Sequence, residues 1–322
     1  MKGKRGVWPT CLLALWLPGC GSLFGLSRHP EEAFERRERI LAEAEAAEVE
    51  RLARSREGAP LDEILRDADG MARTGRMEQA LMGYLDALQA DPRSPVPRAR
   101  IANLQLSRDP ERAEALFRDI LASEPEAAIA HAGLGLALLA RNRVEEAEAP
   151  LLRALELDPL LANAHTGLSV VYDLEGRYAE AQRHALAARE LAPRDATIAN
   201  NLGVSYLLSR DFAAAEEAFR QAALLTPNDP AVRNNLGISL GRQGRYDEAL
   251  EQFRRTGSEQ AAHNNLGYVY LLDGHLDEAI AEFEHALEAE GDQDLVVLRN
   301  LNAAIDAREG RDRGSPARLD LR

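Results

Sequence analysis

The side chains best placed for chemistry are amides. Asn200 and Asn201, Asn234 and Asn235, and Asn264 and Asn265 each precede a Leu-Gly pair, and Asn300 stands before Leu301 in the same way. A side-chain amide both donates and accepts, so a row of them can hold the backbone of an extended peptide whatever its sequence. The same row can equally serve contacts between neighbouring helices, and the residue types leave both readings open. Three residues beyond each pair stand Val204, Ile238 and Tyr268, preceded along the chain by Leu136 and Val170. Leu139, Leu174, Leu207, Leu208, Leu271 and Leu272 follow them. If exposed, these would form an apolar strip suited to a nonpolar segment or an amphipathic helix of a partner. If covered, some would be contacts between neighbouring units.

Other reactive residue types point away from catalysis. His131, His165 and His263 recur 34 or more residues apart, a separation unsuited to metal ligands that must share one ion, so they are expected to be packing residues. Glu145-Glu146 and Glu216-Glu217 are paired carboxylates that read as solvated helix faces. There is no His-Glu-x-x-His, no Gly-x-Ser-x-Gly, no phosphate loop and no Cys-His pair. The sequence therefore predicts a protein that is not an enzyme, with no metal and no cofactor. The lone cysteine outside the apolar start of the chain is Cys20, following Leu17-Pro18-Gly19.

What must position the amides is a repeat. Between residues 128 and 229 one 34-residue pattern is read three times without a gap. Its marks in the third reading are Leu202-Gly203, Tyr206, Ala215, Phe219, Ala222 and Pro227. Leu202, Gly203 and Tyr206 fall on one helical face, as do Ala215 and Ala222. Gly203 and Ala215 let two helix backbones approach closely, and Tyr206 and Phe219 fill the space between them. Pro159, Pro193 and Pro227 cannot continue a helix and separate one hairpin from the next. The pattern resembles the tetratricopeptide repeat, whose period and Leu-Gly, Tyr, Ala, Phe and Pro marks are all present. The resemblance implies an all-α, right-handed superhelical solenoid of about seven helix hairpins with a closing helix. Numbering each unit from one, positions 2, 5, 6, 9, 12 and 13 of its first helix line the concave groove in that family, which is where the asparagines and the apolar strip fall. The amide row resembles the asparagine ladders of some peptide-binding solenoids.

The array is expected over 61–308. A degenerate first unit occupies about 61–93 with Asp67-Ala68 in place of Leu-Gly, and a second about 94–127 has Pro110 at its inter-helix turn. The sixth, from Pro230, breaks at Arg254-Arg255-Thr256-Gly257-Ser258, and Gly237 to Gly267 is 30 residues rather than 34. About one turn of its second helix is thus missing. Leu295, Leu298, Leu301 and Ile305 give the closing helix its apolar face. Residues 31–60, dense in Glu, Arg and Ala, read as a helical spacer, and 309–322 as a disordered tail.

The start of the chain reads as an address. Lys2, Lys4 and Arg5 precede an apolar run from Cys11 to Leu17, too short to span a bilayer, so 1–19 is expected to be a cleaved signal. Leu17-Pro18-Gly19-Cys20 resembles the lipobox of bacterial lipoproteins, which implies acyl chains, palmitate among them, on Cys20, and a tether over 20–30. Two or three chains on one residue anchor stably where one does not. Gly21 after the cysteine implies sorting to the outer membrane of a Gram-negative cell with the repeats in the periplasm. Removing 1–19 takes three of 39 Lys+Arg and no acid, leaving 36 against 53 Asp+Glu, or −17. So acidic a chain is a poor partner for nucleic acid. The Lys/Arg cluster of carboxylate-clamp tetratricopeptide proteins is missing, which argues against an acidic chaperone tail as ligand.

Cys20, the array, the shortened unit and especially Asn234-Asn235-Leu236-Gly237 with Gly244-Arg245-Tyr246-Asp247-Glu248-Ala249 are similar to the TadD lipoproteins of tight-adherence (Flp) pilus systems. That resemblance, carried mainly by 196–305, implies a scaffold that holds a protein segment and helps place the pilus secretin. Other repeat lipoproteins dock envelope or peptidoglycan hydrolases, and this stands as the alternative.

Overall fold

The computed structural model describes residues 60–255, 257–290 and 294–310. The expected signal, Cys20, the tether and the spacer lie outside the described residues, as does the tail beyond 310. Within the described residues the chain is fifteen α-helices and no strand. They are α1 (Leu61–Arg73), α2 (Met77–Ala90), α3 (Pro95–Asn103), α4 (Pro110–Ser123), α5 (Ala128–Ala140), α6 (Val144–Leu157), α7 (Ala162–Leu174) and α8 (Tyr178–Leu191). They continue as α9 (Ala196–Leu208), α10 (Phe212–Leu225), α11 (Pro230–Gly241), α12 (Tyr246–Arg254), α13 (Glu259–Asp273), α14 (Leu276–Glu290) and α15 (Leu295–Arg308). Consecutive pairs pack as hairpins, each hairpin packs on the next, and the whole is a superhelical solenoid closed by α15.

The hairpins close where glycine and phenylalanine face each other. A Cβ added at Gly203 would lie 2.5 Å from the Phe219 ring, and one at Gly267 would lie 2.8 Å from Phe283. Gly237 meets Phe253 in the same way. With no side chain on one helix, the ring of the other fills the gap at native density. The turn between the two helices takes a left-handed residue, Gly75, Gly176, Gly244 and Gly274 in four units, but Asn142 (φ 58) and Arg210 (φ 65) in two others. There is no single central core. One cluster joins Leu151 of the third unit to Leu168 and Tyr172 of the fourth, another joins Phe219 to Leu236, Phe253 and Leu266, and a third joins Phe283 to Val297. Each unit buries its apolar face on its neighbours, which is why a lone hairpin of this kind is not stable.

Asp195, Asp229 and Asp294 cap α9, α11 and α15, each accepting from two backbone N–H groups. The sixth unit is short as expected: α12 has 9 residues where α10 has 14. Phe253 at its last turn remains 3 % exposed, so the truncation removes helix beyond the packing residue and keeps the packing residue itself.

One expectation is corrected. Leu295 lies away from the array, 75 % exposed at the first position of α15. The buried stripe runs through Val297, Asn300 and Ala304, with Leu298, Leu301 and Ile305 half-buried beside it. The Asp294 cap sets where the helix begins, and that phase turns its first residue outward.

Candidate functional site

Two concavities are lined by the first helices. The first, of about 530 Å³, is formed by α5, α7, α9 and the loop before α9, with Leu136, Leu139, Val170, Thr166, Ile198 and Asn201 among its walls. The second, of about 430 Å³, is bounded by Leu207, Leu208, Ile238, Tyr268, Leu272 and the guanidinium groups of Arg210 and Arg242. Arg242 is engaged, 3.0 Å from Asp273 and over the Phe212 ring at 4.9 Å. Of the residues singled out in the sequence, Asn201 stands at the first concavity, whereas Ile238 and Tyr268 back the second but are themselves buried in clusters between units. Val204 packs half-buried against the cluster of Leu236 and Phe253.

The other asparagines bond to one another. Asn235 Nδ2 donates to Asn200 Oδ1 at 3.0 Å, Asn265 Nδ2 to Asn234 Oδ1 at 2.8 Å, and Asn300 Nδ2 to Asn264 Oδ1 at 3.0 Å. In each case position 6 of one unit donates to position 5 of the unit before. Asn235 and Asn300 are buried by this. Of the two uses left open by the sequence, the contact between helices is the one these three bonds serve. Asn201 falls outside the chain of bonds because position 5 of the preceding unit is Thr166, whose hydroxyl donates to the Ala162 carbonyl at 2.8 Å.

A second ladder, not anticipated from the sequence, runs along the second helices at position 21. Glu114 is buried and receives Arg141 and Arg143 of the next unit together with Arg118. Burial alone would raise its carboxyl; the hydrogen bonds from Arg141 and Arg143 and the Arg118 charge outweigh that and hold it below the usual range. Glu148 meets Arg177 at 3.5 Å, Gln182 donates to Ser209 at 2.9 Å, and Glu216 accepts from Gln243 at 2.9 Å and Arg245 at 2.7 Å. Glu216 is therefore a repeat-to-repeat link rather than part of a solvated face. Glu146 is exposed and paired with Arg143.

Two of the histidines at position 4 are packing residues of a definite kind. His131 bonds the Pro125 carbonyl at 2.8 Å and His165 the Pro159 carbonyl at 3.2 Å, each tying the first helix to the proline loop before it. Arg233 does the same to Pro227 at 2.9 Å. A second bond reaches position 23 of the same unit: His165 to His184 at 3.0 Å, Arg233 to Gln252 at 2.9 Å, His263 to Glu282 at 2.6 Å. Burial, followed by the charges of His165 and Arg183, lowers the pKa of His184.

Between the fourth and fifth units, where no amide pair spans the interface, Ser205 donates to Asp173 at 2.7 Å. Burial raises Asp173 to about 6 against the opposing effect of that bond.

The family description "Tetratricopeptide repeat" matches residues 104–162, 162–187, 194–256 and 234–294, more than half of the chain taken together. The chain belongs to the tetratricopeptide-repeat family. Among curated proteins no sequence matches. Among solved structures the array is similar to a chain of the Cut9–Hcn1 hetero-tetramer of the APC/C, with TM-score 0.57 and 20% identity over 76% of this chain and 49% of that one. The protein thus spans about half the length of that chain. PilF of Pseudomonas aeruginosa superposes with TM-score 0.50 and 21% identity, over 66% of this chain and 96% of its own. YrrB is 25% identical over 60% of this chain and 97% of its own, with TM-score 0.46. The likenesses to the Cut9–Hcn1 chain and to PilF show the fold, and the tetratricopeptide-repeat family is one of protein-interaction modules. No helix among the described residues is long and apolar enough to cross a membrane.

Proposed function

We propose that this tetratricopeptide-repeat protein is a lipid-anchored scaffold of the bacterial envelope, facing the periplasm from the outer membrane and holding a segment of a partner protein on its concave side. The observation that carries the binding half of this reading is the pair of concavities, whose walls are largely the first-helix positions named from the sequence. They are apolar at Leu136, Leu139 and Val170 and again at Leu207, Leu208 and Leu272, the first sparing in polar groups and the second lined also by Arg210 and Arg242. That suits an extended or helical segment that buries a few nonpolar side chains. The lipobox at Cys20 and the similarity to TadD lipoproteins support a pilus system as the setting and an assembling secretin as the partner.

Site-specific photo-crosslinking in the native envelope tests the groove. A crosslinker at Asn201 or at Leu272 is expected to capture the same partner, and one at Arg220, 51% exposed on a second helix, to capture none. Capture from Arg220 alone would place the binding surface elsewhere. For the anchor, Cys20→Ser is expected to move the protein out of the membrane fraction; a variant that stays there removes the lipoprotein reading.

A further inference from the structure

His263 departs from the pattern that explains the other position-4 residues. In the third, fourth and sixth units that side chain is held by the carbonyl of the inter-unit proline six residues earlier. Before His263 the shortened sixth unit has replaced the proline loop with Thr256-Gly257-Ser258. The ring meets two carboxylates. Its Nε2 faces Glu259 at 3.5 Å, and its Nδ1 lies 2.6 Å from Glu282 Oε2. One turn further along α14 stands His285, whose ring lies edge-on to that of His263 with centroids 5.6 Å apart.

Glu282 and His285 are three apart on one helix and so share a face, and His263 approaches that face from the facing helix of the same hairpin. One ligand atom from each of the three lies within 4.8 Å of the other two. Ligands about 2.0–2.1 Å from a tetrahedral ion stand roughly 3.3 Å apart, so side-chain rotation alone brings the set into range. His285 is exposed and His263 and Glu282 half-buried, which leaves ion entry and a fourth position open to water. Glu259 completes the arrangement. Itself 2.9 Å from Arg254, it stands 3.5 Å from the far nitrogen of His263, where it would orient the ring with Nδ1 toward the ion.

We propose that His263, Glu282 and His285 form a binding site for a divalent transition-metal ion of the zinc class, with Glu259 as a positioning residue. Two imidazoles and one carboxylate are the donor set such ions take, and a poor one for calcium or magnesium, which take oxygen ligands. The ion would join α13 to α14 in the last hairpin. Binding takes the Nδ1 lone pair of His263, so a proton on that atom shifts to Nε2 or leaves. The site is independent of the groove: a failure of one reading leaves the other intact.

Titration of zinc chloride into the chelator-treated full chain tests it, followed by calorimetry, with cobalt(II) as the spectroscopic probe. One equivalent of zinc and the intense visible bands of tetrahedral cobalt are expected. His285→Ala, at an exposed position, is expected to fold as the wild type and to weaken zinc binding by roughly tenfold or more, and Glu259→Gln to weaken it about tenfold. His184→Ala, which removes the other close histidine pair, should leave the affinity unchanged. No saturable uptake, or uptake that survives both His285→Ala and Glu282→Gln, overturns the proposal.

Discussion

The two halves of the concave side carry the same repeat and use it differently. From the fifth unit to α15 the amides at positions 5 and 6 bond across each interface and are partly buried by doing so. From the third to the fifth unit the corresponding residues are Ala132, Gly133, Thr166 and Gly167; Phe117 and Leu151 fill the space at the two glycines, and the larger concavity lies beside Thr166 and Gly167, edged by Asn201. An asparagine at one repeat position thus joins two units or stands at the concavity according to the residue one position and one unit earlier. Where that residue is another asparagine the interface closes on itself, and where it is threonine the amide is left to the groove.

The largest effect that would break this contrast is on stability. Asn235→Ala leaves the Asn200 carbonyl without its donor at a position only 2% exposed, and is expected to cost about 1–3 kcal/mol in urea unfolding. Asn201→Ala should cost no more than about 0.5 kcal/mol, since it removes no bond between units, yet it is the one expected to weaken partner capture. Equal losses of stability in the two variants would remove the distinction between the halves.

The next effect concerns the interface that lacks an amide pair. Burial raises the pKa of Asp173 from 3.8 to about 6. A raised carboxyl binds its proton more tightly in the folded chain than in the unfolded one. Its contribution is therefore full below about pH 3.8 and is lost as pH rises through about 6. The group is only part-buried and screened by water, so the loss is no more than about 2 kcal/mol. Asp173→Asn should flatten this part of the profile between pH 4 and 7 in thermal unfolding. A slope unchanged in that variant would assign it to other groups.

Much of this was legible in the sequence because a repeat superposes equivalent positions. The period, the Gly203–Phe219 packing and the shortened sixth unit all follow from residues compared at equal positions, and the structure shows each of them. What superposition does not supply is which position of one unit faces which position of the next. The amide bonds join residues 35, 31 and 36 apart, and the position-4 bonds join residues 6 and 19 apart. Comparing His131, His165 and His263 with each other, at one position, therefore hid their partners on the second helix and in the proline loop. Glu216 read as a solvated face for the same reason: its partners Gln243 and Arg245 belong to the next unit. The Leu295 expectation failed on helix phase, which the Asp294 cap decides.

The smallest change expected at an interface between units is also the most discriminating, because it adds a bond. Thr166→Asn places an amide at the position that Asn200 occupies one unit later, where its carbonyl can accept from Asn201 as Asn200 accepts from Asn235. It also removes the Thr166 hydroxyl bond to Ala162, which an intact helix can spare because the Ala162 carbonyl belongs to the first turn of α7 and already serves the backbone. A gain of about 0.5–1.5 kcal/mol is expected if the amide pair forms. The new side chain would also fill part of the larger concavity and tie up its edge amide, so partner capture through Asn201 should fall while stability rises. Opposite movement of the two quantities is what the contrast between the halves requires. A variant that gains stability and keeps its partner would mean that Asn201 stands at the groove without serving it, and a variant that loses both would mean that the spacing of the fourth and fifth units cannot accommodate the bond made one unit later.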